Sequence, residues 1–209
     1  MDESIRLRMS RLLGCLTALV FALAAPAAYA QVAGRTATTS GVTATGEAQY
    51  QVPLVLPPGT NGMTPQLALS YGSHTGEGIA GQGWGLAGLS VVHRCPKTLA
   101  QDGVAREVKL DLQDRFCLNG NQLKLTGGTY GVAGSTYQTE MEQFARVTAY
   151  GAAGNGPAYF IAEYKNGLIY EFGNTTNSRI ESKGVAHVRT WAVNKIRDRN
   201  QNEILFNYT

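Results

Sequence analysis

The chain has 209 residues, of which 16% are charged and 25 are glycine, with a formal net charge of +3. An average soluble domain carries about 25% charged residues, so this chain is poor in charge, while ten Tyr, six Phe and two Trp supply aromatic surface for a packed core. The small, dispersed positive charge excludes a nucleic-acid partner, and no block of like charge marks an interaction tail.

Residues 1–30 read as a secretory signal peptide. Arg6, Arg8 and Arg11 form a basic start, Leu12 to Ala28 is apolar, and Ala28-Tyr29-Ala30 is an A-x-A cleavage site before Gln31. An uncleaved signal anchor is the alternative. The run is shorter than the roughly 20 residues of a spanning helix, and no membrane span is expected after cleavage. Leu12-Leu13-Gly14-Cys15 is no lipobox, because its apolar run follows the cysteine, and the separated arginines give no twin-arginine signal. The expected location is secreted and extracellular, with the periplasm as the alternative. Cys15 leaves with the signal, which leaves Cys95 and Cys117. An even pair in an exported protein suits a disulfide; two buried free thiols are the other reading.

Gln31 to Glu47 is rich in Ala, Thr, Gly and Ser. It predicts a flexible arm over 31–49, with order beginning near Tyr50. The remainder, 50–209, predicts one all-β module of many short antiparallel strands and hairpins. Tyr50 to Leu56 and Gln66 to Tyr71 are strand candidates separated by Pro57-Pro58-Gly59 and Asn61-Gly62; Leu67, Leu69 and Tyr71 alternate with smaller residues. Val91 and Val92 lead into Cys95. Arg106 to Leu112 and Gln122 to Leu125 are further candidates, and Thr139 to Tyr150 reads equally as helix or strand. Tyr159 to Tyr164 and Leu168 to Phe172 flank Lys165-Asn166-Gly167, a strong hairpin signal because both turn positions need a positive φ. Val188 to Ile196 and Ile204 to Tyr208 form a last pair. That pair runs to the end of the sequence, which suggests that more protein follows.

Gly83-Trp84-Gly85-Leu86-Ala87-Gly88 spells GxGxxG. A dinucleotide loop needs a strand before it and a helix after it. SHTGEGIAGQ before and LSVVHRC after offer neither, so these glycines are expected to make turns around Trp84 and to bind no cofactor. Glu140-Met141-Glu142 has the E-x-E spacing of ADP-ribosyltransferases but lacks the separate arginine and Ser-Thr-Ser strand; in a strand the two glutamates would share a solvated face. Asp111 and Asp114 lack the ligand alternation and glycine of a calcium loop. His74, His93 and His187 are far apart with no zinc spacing, and no Gly-x-Ser-x-Gly elbow occurs. No catalytic, metal or cofactor residue is assigned, and the chain is expected not to be an enzyme.

Three blocks in order carry a resemblance: PLVLPPGTNGMTPQLALSYGS, GQGWGLAGLSVVHRCPKTLAQDG and DRFCLNGNQLKL. YFIAEYKNGLIYEFG and TWAVNKIRDRNQNEILFNYT follow. The chain from Tyr50 to Thr209 resembles the N-terminal region of the Salmonella virulence plasmid B protein (SpvB) family. It is similar to the start of the B component of Tc toxin complexes and of Rhs/YD-repeat proteins. YD repeats are not recognisable, and Asn119-Gly120 stands where the family pattern suggests Asp-Gly.

The resemblance implies the opening part of a larger β-shell that encloses a toxic C-terminal segment absent from this chain. The expected partner is the remainder of the shell or a companion toxin subunit, with a host-cell surface as a further possibility. Within the module, Trp84, Phe116, Tyr159, Phe160 and Trp191 are the candidate core, and Gly83, Gly85, Gly120 and Gly167 the candidate turns. A stand-alone exported module that binds carbohydrate or a cell surface is the alternative function, suited by ten Tyr and abundant Asn.

Overall fold

The structure is a computed structural model that describes residues 36–209 apart from 79 and 186. The signal-peptide residues, with Ala28, Ala30 and Gln31, lie outside the described residues.

The fold begins with small sheets. Strands β1 (Thr39–Val42), β2 (Ala48–Pro53) and β3 (Ala68–Gly72) are followed by a ribbon of β4 (Glu77–Gly78) and β5 (Gly81–Gln82), then by β6 (Trp84–Ala87). The antiparallel order is β1-β2-β3-β6. Thus residues 39–42 and 48–49, expected in the flexible arm, are paired. The cause is backbone chemistry rather than apolar pattern: a turn closed by Thr43 and Gly46 folds β1 onto β2, and every residue of β1 stays exposed.

The second body is a closed ring. Its strands are β7 (Val91–Cys95), β8 (Arg115–Leu118), β9 (Asn121–Gly127), β10 (Thr136–Thr139), β11 (Ala145–Tyr150), β12 (Tyr159–Tyr164), β13 (Ile169–Phe172) and, after the short β14 (Arg179–Glu181), β15 (Val188–Arg197). The long β15 closes the ring. Its first half pairs with β7, with Trp191 opposite Val92, and its second half with β13, with Ile196 opposite Tyr170. Eight antiparallel strands thereby form a barrel, flanked by β14 and by β16 (Glu203–Leu205) on β15.

Period-two alternation drives this arrangement. In β11, Ala145, Val147 and Ala149 are buried while Arg146 and Tyr150 are exposed. An eight-stranded barrel interior is just wide enough for side chains to fill. Phe116, Tyr137, Phe160 and Trp191 fill it, with Phe160 meeting Trp191 edge-on at 5.0 Å and 88°. Trp84 and Tyr159 are only half-buried and belong elsewhere: Trp84 lies beside Tyr71 on the four-stranded sheet, and Tyr159 stacks on Tyr150.

Three local expectations change. Arg106 to Leu112 is no strand; only an isolated bridge joins Arg106 to Lys97, because Asp111 and Asp114 turn the backbone inward. Gly85 is no turn but lies inside β6 opposite Ser70. Thr139 to Tyr150 is not helical and splits between the end of β10 and β11. Gly83, Gly120 and Gly167 do sit at positive φ, of 75°, 83° and 86°.

Because neighbouring strands are antiparallel, the connections sort to two ends. The short turns after β8 and β12, the 140–144 loop and the turn after β15 share one end with the linker into β7. The longer connections 96–114, 128–135, 151–158 and 173–187 share the other.

Candidate functional site

The end with the long connections is closed by a polar plug centred on Arg94. The inward face of β7 presents Arg94 into the barrel opposite Phe116 of β8. Its guanidinium donates to Val188 O and Asp111 O, each at 2.8 Å, to Asp114 Oδ2 at 3.2 Å, and to Asn155 O. The plane lies 5.6 Å from the Phe116 ring centroid and 5.9 Å from that of Trp191. One side chain thus ties three segments of chain together: the 96–114 and 151–158 connections and the start of β15. Burial pushes the Arg94 pKa down, with Asp114 and Asp111 opposing that shift.

Asp114 completes the plug. Its carboxylate accepts from Arg94, from Arg106 at 3.3 Å, and from the backbone N–H groups of Lys109 and Asp111. Arg106 also pairs with Asp111. The pairing satisfies buried charge, which is otherwise costly. Gly156 leaves room for the arginine: a Cβ there would stand 2.7 Å from Arg94 Nη2.

Beside the plug, a four-residue helix α1 (Leu99–Asp102) was missed by strand-based reading. Its signal was present: Thr98 accepts from Gln101 N as the cap, and Gly103 ends the helix at φ 69°. Asp102 meets Arg115 at 2.6 Å and Gln122 at 3.1 Å. Burial acts to raise the Asp102 pKa, but the hydrogen bonds from Arg115, Gln122 and Thr98 win and hold it below the usual range. Arg115 also covers the Tyr130 ring at 4.7 Å, and burial pushes the Tyr130 hydroxyl strongly up.

The sequence motifs fall as follows. Cys95 and Cys117 are joined as a disulfide across β7 and β8, with Cα atoms 5.9 Å apart. Of the GxGxxG glycines, Gly83 joins β5 to β6, Gly85 lies inside β6 and Gly88 follows its end. Gly88 has φ 97°, and a Cβ there would overlap Gln66 O, so the glycine permits backbone approach. Glu140 and Glu142 are not in a strand. They lie in the loop after β10, where Glu140 pairs with Lys124 at 3.3 Å and Glu142 accepts from Phe144 N. The histidines are not gathered, and no group of three or more His, Cys, Asp or Glu side chains that could hold a metal occurs among the described residues. No helix among the described residues is long and apolar enough to cross a membrane.

The sequence profile of the Salmonella virulence plasmid 65kDa B protein family matches residues 42–209. The chain belongs to that family. A solved structure, TcdB2-TccC3, shares the fold with a TM-score of 0.66 at 18% identity, over 83% of this chain and 9% of that one. The N-terminal domain of effector protein SpvB from Salmonella typhimurium strain LT2 matches with a TM-score of 0.51 at 23% identity, over 70% of this chain and 51% of that one. The present chain thus spans about half of the SpvB domain and about a tenth of the TcdB2-TccC3 chain. No curated protein matches the sequence significantly. In this member of the virulence plasmid B protein family, the Arg94 plug, the disulfide and the GxGxxG segment are parts of the β framework.

Proposed function

We propose that the chain is a non-enzymatic structural module of an exported toxin or virulence protein, contributing to a β-shell that encloses a toxic segment elsewhere. The observation that carries this is the use of the barrel interior: Phe116, Tyr137, Phe160, Trp191 and the Arg94 plug fill it from within. A wall element needs such rigidity and needs no cavity of its own. The match to a small part of a TcdB2-TccC3 chain supports a module within a larger assembly. Its partner is then the remainder of a shell protein or a companion subunit, and a host-cell surface is its outer contact.

The proposal includes export by the predicted signal peptide, an extracellular or periplasmic destination, and an oxidised Cys95–Cys117 pair suited to that compartment. The test is the intact mass of the native exported product, with and without reductant. A mass far above that of residues 31–209 supports the shell, and a mass equal to it overturns it in favour of a self-contained module. For the non-enzymatic part, a screen for hydrolase and NAD-glycohydrolase turnover is expected to find none. Turnover lost in Glu140→Gln or Glu142→Gln would reverse that reading.

A further inference from the structure

The other end of the barrel is built differently. Its connections are short, and between them and the β6–β7 linker lies a hollow of about 670 Å³. Leu89, Asn119, Gln143, Tyr164, Asn166 and Tyr170 supply its side chains. Ligand sites commonly have about 300–1,000 Å³ and favour the mouths of β-barrels.

The register explains the opening. Tyr164 pairs with Ala145, and Tyr170 with Ala162. Directly paired residues share a sheet face, and both alanines are buried in the core. The tyrosines therefore face the barrel mouth, and their small partners leave it unfilled. The two rings meet at 5.0 Å and 65°, a stepped apolar wall. Burial pushes the Tyr164 hydroxyl up to about 12, and burial also raises Tyr170, so both stay neutral donors.

The polar groups line the hollow from loops, where Asn119, Gln143 and Asn166 are exposed. Asn119 Oδ1 accepts from Ser90 Oγ at 3.0 Å and Val91 N at 2.9 Å, and Asn166 Oδ1 accepts from Leu168 N at 3.0 Å. Those bonds orient each amide and leave its NH2 group available. Among the described residues, neither NH2 group, nor the Gln143 side-chain amide, nor either tyrosine hydroxyl has a protein partner, the Gln143 backbone N–H alone donating to Thr139 Oγ1. Among the described residues, no Asp, Glu, Lys, Arg or His lines the hollow. The nearby Lys165 ammonium sits over the Phe144 ring at 4.7 Å.

This set selects a ligand class. An ionic ligand finds no counter-charge, and a purely apolar one would strand hydroxyls and amides without partners. A pyranose offers an apolar C–H face to tyrosine and hydroxyls to amides. We propose that this mouth binds a neutral saccharide of one or two hexose units. The inference does not depend on the shell reading, and either can fail alone.

The test is an NMR titration of the exported chain, labelled with nitrogen-15, using maltose, lactose and cellobiose, with glucuronate as the charged control. At least one neutral disaccharide is expected to shift the side-chain NH2 signals of Asn119, Gln143 and Asn166, with glucuronate much weaker. The double variant Gln143→Ala/Asn166→Asp keeps the acceptor for Leu168 N, so its spectrum elsewhere should be unchanged. Its binding should weaken about ten-fold or more, as for a lost hydrogen bond. No shift at these groups with any of the three disaccharides, equal binding of glucuronate, or unchanged affinity in the double variant would overturn the proposal.

Discussion

Arg94 and Asp114 meet at 3.2 Å inside the barrel with both side chains at 0% exposure. The arginine has four acceptors and the carboxylate four donors, so neither is replaceable by charge alone. Breaking a buried pair by removing one partner costs about 3–5 kcal/mol. Arg94→Ala should therefore lower unfolding stability by about 3 kcal/mol or more in a urea titration, since among the described residues Asp114 keeps only Arg106 as an ionic partner. Arg94→Lys should recover little, because an ammonium cannot reproduce the planar fork. A loss below about 1 kcal/mol for the alanine variant would show that the plug is not a fastening.

Gly173 lies against Trp191 and separates two kinds of glycine constraint. It has φ 77°, and a Cβ there would overlap Trp191 Cδ1. Gly120 has φ 83° but nothing within 4 Å of a Cβ. Gly120→Ala should cost about 1–2 kcal/mol from backbone strain alone. Gly173→Ala adds overpacking of the buried tryptophan, a further 1–3 kcal/mol or so. Thermal unfolding of the two variants side by side checks the order, and equal losses would mean that Trp191 yields freely.

The disulfide closes a loop with a sequence separation of 22. On the chain-entropy model such a cross-link contributes about 3 kcal/mol. Cys95→Ser/Cys117→Ser should unfold at correspondingly lower urea concentration than the oxidised protein. Reduction should add two hydrogens to the mass of the exported chain. No stability difference between oxidised and reduced forms would mean that β7 and β8 are held by the barrel alone.

The elements that alternation announced are those whose inward residues are large. Tyr159 to Tyr164 and Val188 to Ile196 read as strands because Phe160, Trp191 and Val193 recur at period two; Gly167 at φ 86° marks the hairpin after Tyr164, whereas Asn166 does not take the positive φ expected of it. Strand β1 escaped because TSGV buries nothing and forms by backbone pairing alone. Arg106 to Leu112 misled because its apolar residues alternate, while the Asp114 carboxylate that holds its backbone also bonds Arg94, brought from 20 positions away by the β7–β8 pairing. The same distance hid the plug: neither Arg94 nor Asp114 carries a local motif. The barrel mouth was hidden differently. Its tyrosines and amides were visible only as composition, and their gathering depends on register across β11, β12 and β13.

Tyrosine ionisation gives the last prediction. Burial raises the pKa of Tyr130, Tyr137, Tyr164, Tyr170 and Tyr208 above the ordinary value of 10.0, with Tyr164 reaching about 12. A raised folded-state value means that the unfolded chain loses these protons first. The stability they contribute is therefore complete below pH 10 and is lost as pH rises through the folded values. Unfolding midpoints should hold up to pH 10 and fall steeply between pH 10 and 12. Ultraviolet titration of phenolate should show these tyrosines ionising late and together with loss of near-ultraviolet circular dichroism. Tyr137→Phe should leave the alkaline slope shallower, although it also removes the hydroxyl that bonds Ser135 and Gly131 N. Phenolate signal from every tyrosine at the ordinary pH, with tertiary structure intact, would contradict the burial of the barrel hydroxyls.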